Sequence, residues 1–149
     1  MHFYKSARDV FFLLHLLNKA RNEEVPVKAD DSVHIFYYPW YGNPTLDNGS
    51  YYHWNHPILP HWDRHEAQKW PQGVRQPPDD IGSNFYPQLG TYSSRDVSTT
   101  VQHMRWIRST GVGVVAVSWY PPVLSDDQGH PWDDLIPGIL DAAKEVGLK

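Results

Sequence analysis

"VGVVAVSWYPP", residues 112–122, is the stretch that decides the fold. Val112 to Val117 is apolar almost without interruption, and β-branched side chains dominate it. A strand with one wet face would alternate apolar and polar residues. A continuous apolar run instead suits a strand covered on both faces, as in a parallel sheet. Pro121 and Pro122 offer no N–H to a ladder and stop the strand just after Trp119 and Tyr120.

Working outward, "SSRDVSTTVQHMRWIRSTG" (residues 93–111) predicts a helix. Val97, Val101, Met104 and Ile107 fall on one face, Ser94 or Asp96 supplies the N-cap, and Gly111 stands just past the end. Downstream of the strand, the loop "YPPVLSDDQGHPWDD" leads to a second helix from about Leu135 to Val146. Leu135, Ile136, Ile139, Leu140 and Ala143 form its apolar stripe, and Gly147 closes it. Upstream, "VHIFYY" (33–38) reads as a further strand, ended by Pro39 and Gly42. The segment 43–92 shows no sustained period and is dense in Pro, Gly, Asn, Asp and rings. A loop this long inside a compact domain is more often functional than idle. Strand, long loop, helix, strand, loop and helix open an α/β fold with parallel strands.

Both strands end alike, in "FYYPWYG" and "SWYPP". In α/β folds ligands sit at the C-terminal ends of the strands, where the βα loops emerge. Rings with polar tips placed there make a platform for a flat, polar ligand, so Tyr38, Tyr41, Trp119 and Tyr120 become candidate binding residues. On the strand itself neighbours alternate sides. Tyr38 and Tyr41 are therefore expected at the cleft, with Ile35 and one of Phe36 or Tyr37 packed.

Composition narrows the ligand. The 149 residues include 7 Trp and 9 Tyr on a wet average, with a mean hydropathy of -0.58, a balance common where polar, ring-shaped ligands are bound. A net charge of -4 and a pI near 6.1 argue against a nucleic-acid partner. The absence of cysteine excludes disulfides and cysteine zinc sites. The run "VFFLLHLL" (10–17) is too short for a bilayer, which takes about 20 residues. It also has no small-residue cleavage site within easy reach and reads as a packing helix over about Ser6–Arg21. Residues 1–32 thus read as a helix and linker, and 33–149 as the domain proper.

Four strings, "HIFYYPWYGNP", "YYHWNHPILPHWD", "PPDDIGSNFYPQLGTYSSRD" and "SWYPP" followed by "DDQGHPWDDLIPGILDAA", resemble the endo-α-1,2-mannosidase family of glycoside hydrolases. The resemblance runs in order over about residues 33–149. It implies a (β/α)8 barrel acting on glucosylated mannose of N-glycan oligosaccharides in the Golgi lumen, membrane-anchored in full-length relatives and needing no cofactor. It also implies that a residue matching Tyr120 contacts the sugar on the non-reducing side of the cut. The family's two catalytic glutamates lie in an Asn-Glu-Trp-His-Glu motif that is absent from this sequence. A (β/α)8 barrel takes about 250 residues. We therefore expect the N-terminal portion of such a barrel, about two βα units long, with no catalytic residue of its own and no activity alone. A non-catalytic carbohydrate-binding or regulatory remnant is the alternative.

The chain's own carboxylates do not form a convincing acid/base pair. Asp126-Asp127 before Gln128-Gly129 reads as a turn, and Asp133-Asp134 as a helix cap. Asp79, after Pro77-Pro78 and within the family string, is a candidate for a sugar hydroxyl or for anchoring the loop. His53, His56, His61 and His65 cluster within thirteen residues but match no zinc spacing, so no metal is expected. His53 beside Trp54 suits the lining of a sugar cleft.

Overall fold

The computed structural model describes residues 27–58, 60 and 62–149. The helix expected over about Ser6–Arg21 and His61 lie outside the described residues. Two strands, β1 (Asp30–Tyr37) and β2 (Val112–Val117), pair in parallel as a two-stranded sheet. Phe36 lies opposite Ala116 and Tyr37 opposite Val117, with an irregularity in register between Asp30 and His34. Between the strands run a single-turn helix α1 (Arg64–Ala67) and the long helix α2 (Val97–Ser109). A 3-10 turn (Asp133–Leu135) after β2 leads directly into α3 (Ile136–Glu145).

Helices α2 and α3 pack on one face of the sheet. Met104, Ile139, Ala142, Ala143 and Leu148 are buried between them, and Tyr37, Val115 and Val117 reach this cluster from the strands. Because side chains alternate along a strand, Phe36 and Tyr38 turn the other way, and they are 76% and 47% exposed. Of the alternatives Phe36 and Tyr37, it is therefore Tyr37 that packs. Ile35, expected to pack, is 38% exposed. It lies opposite Val115 in the register, but the buried cluster gathers around Tyr37, Val115 and Val117 and does not take in Ile35.

The helix signals behave as their chemistry requires. Asp96, not Ser94, caps α2, its carboxylate accepting from the Ser98 N–H at 2.9 Å. Gly111 takes up the left-handed conformation after the helix, at φ +89°. Two apolar residues depart from the expected stripes. Val97, the first residue of α2, lines an open groove facing Leu135 and Gly138, while Leu140 flanks a narrower seam made by Ile136, Ile139, Ala143 and Val146. The Asp133-Asp134 pair also corrects the reading of a helix cap. The 3-10 turn begins after Trp132 and α3 after Leu135, and neither start carries a side-chain cap bond. Both carboxylates are engaged elsewhere.

Gly113 permits the close approach that joins the strands: a Cβ there would lie 2.5 Å from the Asp30 carbonyl oxygen. On the other side of β2, Lys149 donates its N–H to the Gly113 carbonyl (2.9 Å) and accepts from the Val115 N–H (2.7 Å).

Candidate functional site

The parallel register brings the ends of β1 and β2 to one lip, where the Ser118 N–H donates to the Tyr37 carbonyl at 2.8 Å. Tyr38 leaves β1 and Trp119 leaves β2 at this lip, the latter 54% exposed. Tyr120 is half-buried beside it. From Tyr38 a column of rings runs into the protein. Tyr38 stacks on Trp40 (centroids 4.8 Å apart, planes 21° apart), Trp40 on His53 (4.7 Å, 14°), and His56 follows His53 at 6.4 Å. Tyr41 takes a different path. It lies 4.2 Å from the ring of Trp54 and edge-on to Tyr92 at 5.7 Å, and it is half-buried. Trp54 is only 2% exposed, and its indole N–H donates to the Tyr92 carbonyl at 2.9 Å. Tyr38, Trp119 and Tyr120 therefore sit at the open lip, with His53, Tyr41 and Trp54 packed behind it. Asp79 is exposed on the loop after Pro78 and takes no part in this network, while its neighbour Asp80 accepts from Arg75 at 2.8 Å.

Asp126 is the centre of the packing behind the lip. One carboxylate oxygen accepts the N–H groups of Gln128 (2.9 Å) and His130 (2.8 Å), which makes the expected turn. The other accepts from His53 Nε2 at 2.9 Å and from the indole of Trp132. Gln128 adds a second tie, its Oε1 accepting from the His53 N–H at 3.1 Å. His53 itself adopts φ +58°, a left-handed conformation uncommon for a non-glycine residue, which these bonds hold in place. Burial pushes the Asp126 carboxyl up, but the bonds from His53, Trp132 and the His130 amide outweigh it and hold the group below its ordinary value.

His53, Asp126 and Asp127 bring three potential metal-ligand atoms within 4.8 Å of one another. Their hydrogen bonding does not suit a metal. All four donors to Asp126 would have to compete with an ion, and His53 Nε2, the nearest nitrogen, is already turned to that carboxylate.

A second anchor lies at the start of α3. Arg95 pairs through Nε with Asp47 at 3.2 Å and through Nη1 with Asp134, and its guanidinium lies 5.2 Å over the Trp132 ring. Asp133, the intervening residue, accepts from the Trp119 indole N–H at 2.7 Å. On the helix face of the sheet, Tyr37 and His103 share a hydrogen bond of 3.0 Å, and Tyr92 packs edge-on against His103. Burial pushes the Tyr37 hydroxyl up to about 12, against the bond from Thr100, and pulls His103 below its ordinary value.

Trp40, Arg95, Asp126 as more than a turn residue, Gln128 and Asp133 were not singled out by sequence reasoning. Trp40 could have been found, since it belongs to the same aromatic run as Tyr38. The His53–Asp126 bond joins residues 73 apart in the chain and has no local signal.

A sequence model of glycosyl hydrolase family 99 matches residues 28–149. Among curated proteins, the chain is 60% identical over 127 residues to a glycoprotein endo-alpha-1,2-mannosidase of Xenopus laevis. That alignment covers 85% of this chain and 28% of the relative. It is 48% identical over 123 residues to a mouse glycoprotein endo-alpha-1,2-mannosidase-like protein, covering 83% of this chain and 27% of that one. Among solved structures, the GH99 endo-alpha-mannosidase of Bacteroides thetaiotaomicron superposes with a TM-score of 0.64 at 38% identity, over 82% of this chain and 32% of that one. The chain thus spans little more than a quarter of the length of these curated relatives.

Proposed function

The chain belongs to glycosyl hydrolase family 99, and from that membership we propose that it carries the aromatic part of the sugar site of an endo-α-1,2-mannosidase, acting on glucosylated mannose of N-glycans. The observation that carries this reading is the convergence of two parallel strand ends on one lip, each bearing Trp or Tyr beside proline. Sugar rings present C–H faces that rest on aromatic rings and hydroxyls that need hydrogen-bond partners. A half-open Trp119 and the phenols of Tyr38 and Tyr120 supply both. His53, Tyr41 and Trp54 hold the platform from behind.

We take the sheet as the first two strands of a (β/α)8 barrel. The parallel order, the helices on one face and the two backbone bonds from Lys149 to β2 support that assignment. By the same family membership we propose that the protein acts in the Golgi lumen, held at the membrane. Among the described residues, no helix is long and apolar enough to cross a membrane.

No catalytic acid or base is assigned to the described residues. A glycosidase places two carboxyl groups about 5 to 9.5 Å apart across the scissile bond. Asp126 is saturated by four donors, Asp133 and Asp134 are held by Trp119 and Arg95, and Asp80 is held by Arg75. This engagement favours a second reading, in which the chain binds the glycan without cleaving it.

Titration with α-glucosyl-mannose disaccharide tests the sugar site. Tyr120→Ala should weaken binding about tenfold, the loss of one aromatic contact with its hydrogen bond, and leave the thermal midpoint unchanged. Unchanged affinity would remove Tyr120 from the site.

A further inference from the structure

Trp119 is exposed over half its surface, yet its ring is not free to turn, because its indole N–H is bonded to Asp133 at 2.7 Å. An exposed hydrogen bond of this kind usually contributes little, since a mobile acceptor is as easily replaced by water. Here the acceptor is not mobile. The preceding residue, Trp132, is 3% exposed and donates to Asp126. The following residue, Asp134, is paired with Arg95, which is tied in turn to Asp47 and lies over Trp132. Asp133 also opens the 3-10 turn that leads directly into α3. Its carboxylate is therefore a fixed point, anchored on both sides, to which the edge of the Trp119 ring is attached while the ring face stays open.

We propose that Asp133 is a positioning residue: it sets the angle of the Trp119 ring so that the open face is ready for a sugar before the ligand arrives. This rests on the proposed sugar site. Holding the ring in its bound orientation removes an ordering cost that a free indole would meet on each binding event. The carboxylate itself does not touch the ligand. Its charge is not the requirement either; an acceptor at that place is.

The test uses the 149-residue chain, 15N-labelled at its tryptophan indoles, with Trp119→Phe to identify the Trp119 cross-peak, and α-glucosyl-mannose disaccharide as the probe. In Asp133→Ala the Trp119 indole signal should move to the position of a water-exposed indole. The affinity for the disaccharide should fall about three- to tenfold, with the thermal midpoint within a few degrees of the parent. Asp133→Asn keeps an acceptor oxygen and should restore both the indole signal and most of the affinity. If Asp133→Ala moves the indole signal but binds the disaccharide as well as the parent, the positioning role is wrong while the sugar site stands. If the parent chain does not bind the disaccharide at all, the sugar site fails and this proposal falls with it.

Discussion

His53 and Asp126 show how much a single residue can carry beyond its local pattern. His53 stacks on Trp40, reaches Asp126 with its ring and Gln128 with its backbone N–H, and so joins the lip of β1 to the loop after β2. The sequence placed His53 beside Trp54 as cleft lining and Asp126 in a turn. The turn was legible because Asp before Gln-Gly bonds its own backbone, whereas the bond to His53 depends on chain segments that meet only in the folded protein. His103 leads to a pH prediction. Its imidazole is held neutral by burial among Tyr37, Tyr92 and Trp106, with its pKa below the ordinary 6.5. The unfolded chain therefore takes up this proton before the folded one does. The stabilising effect of keeping His103 neutral is complete above the ordinary value and is lost progressively as the pH falls below it. Thermal midpoints of the parent and His103→Gln, compared from about pH 7.5 to about pH 5, should converge or cross in favour of the variant as the pH falls. A constant difference across that range would contradict the assignment.

At the scale of elements, the strands and long helices were legible because each is marked twice, by its periodicity and by its punctuation. β2 is an apolar run closed by prolines, and α2 has Asp96 at one end and Gly111 at the other. Faces were less legible than spans. Val97 and Leu140 fit an apolar stripe on paper, but the seam between α2 and α3 is narrower than the stripe and leaves both in solvent. The cap expected of Asp133-Asp134 was missed for a similar reason, since long-range partners in Trp119 and Arg95 took both carboxylates. Two glycines make the packing testable. Gly113→Ala forces a Cβ to 2.5 Å from the Asp30 carbonyl and should destabilise the sheet by about 2 kcal/mol or more. Gly138→Ala, in the first turn of α3 with nothing within 4 Å, should stabilise by about 0.4–1 kcal/mol, chiefly by restricting the unfolded chain. A denaturant midpoint for Gly113→Ala equal to or above the parent's would refute the close approach of the strands at Gly113.

Across the whole molecule, one face of the sheet is covered by helices and the other carries Phe36 and Tyr38 into the open, with the aromatic lip at its end. The α/β class and the parallel sheet followed from the apolar run of β2 and the order of elements. The matching aromatic-proline endings of the two strands pointed to a ligand platform, and the resemblance to a glycosidase family made a sugar the expected ligand. Which rings would be open and which buried did not follow, because residues 43–92 obey no period and their packing is decided by contacts such as Trp54 to Tyr92. Chemical-shift mapping of the chain with α-glucosyl-mannose tests the proposed sugar platform at the lip of β1 and β2. If the lip binds the sugar, the largest shifts fall on Tyr38, Trp119 and Tyr120, with smaller ones at His53. Shifts confined to the cavity of about 300 Å³ lined by His56, Arg75 and Asn84, or none at millimolar sugar, would contradict it.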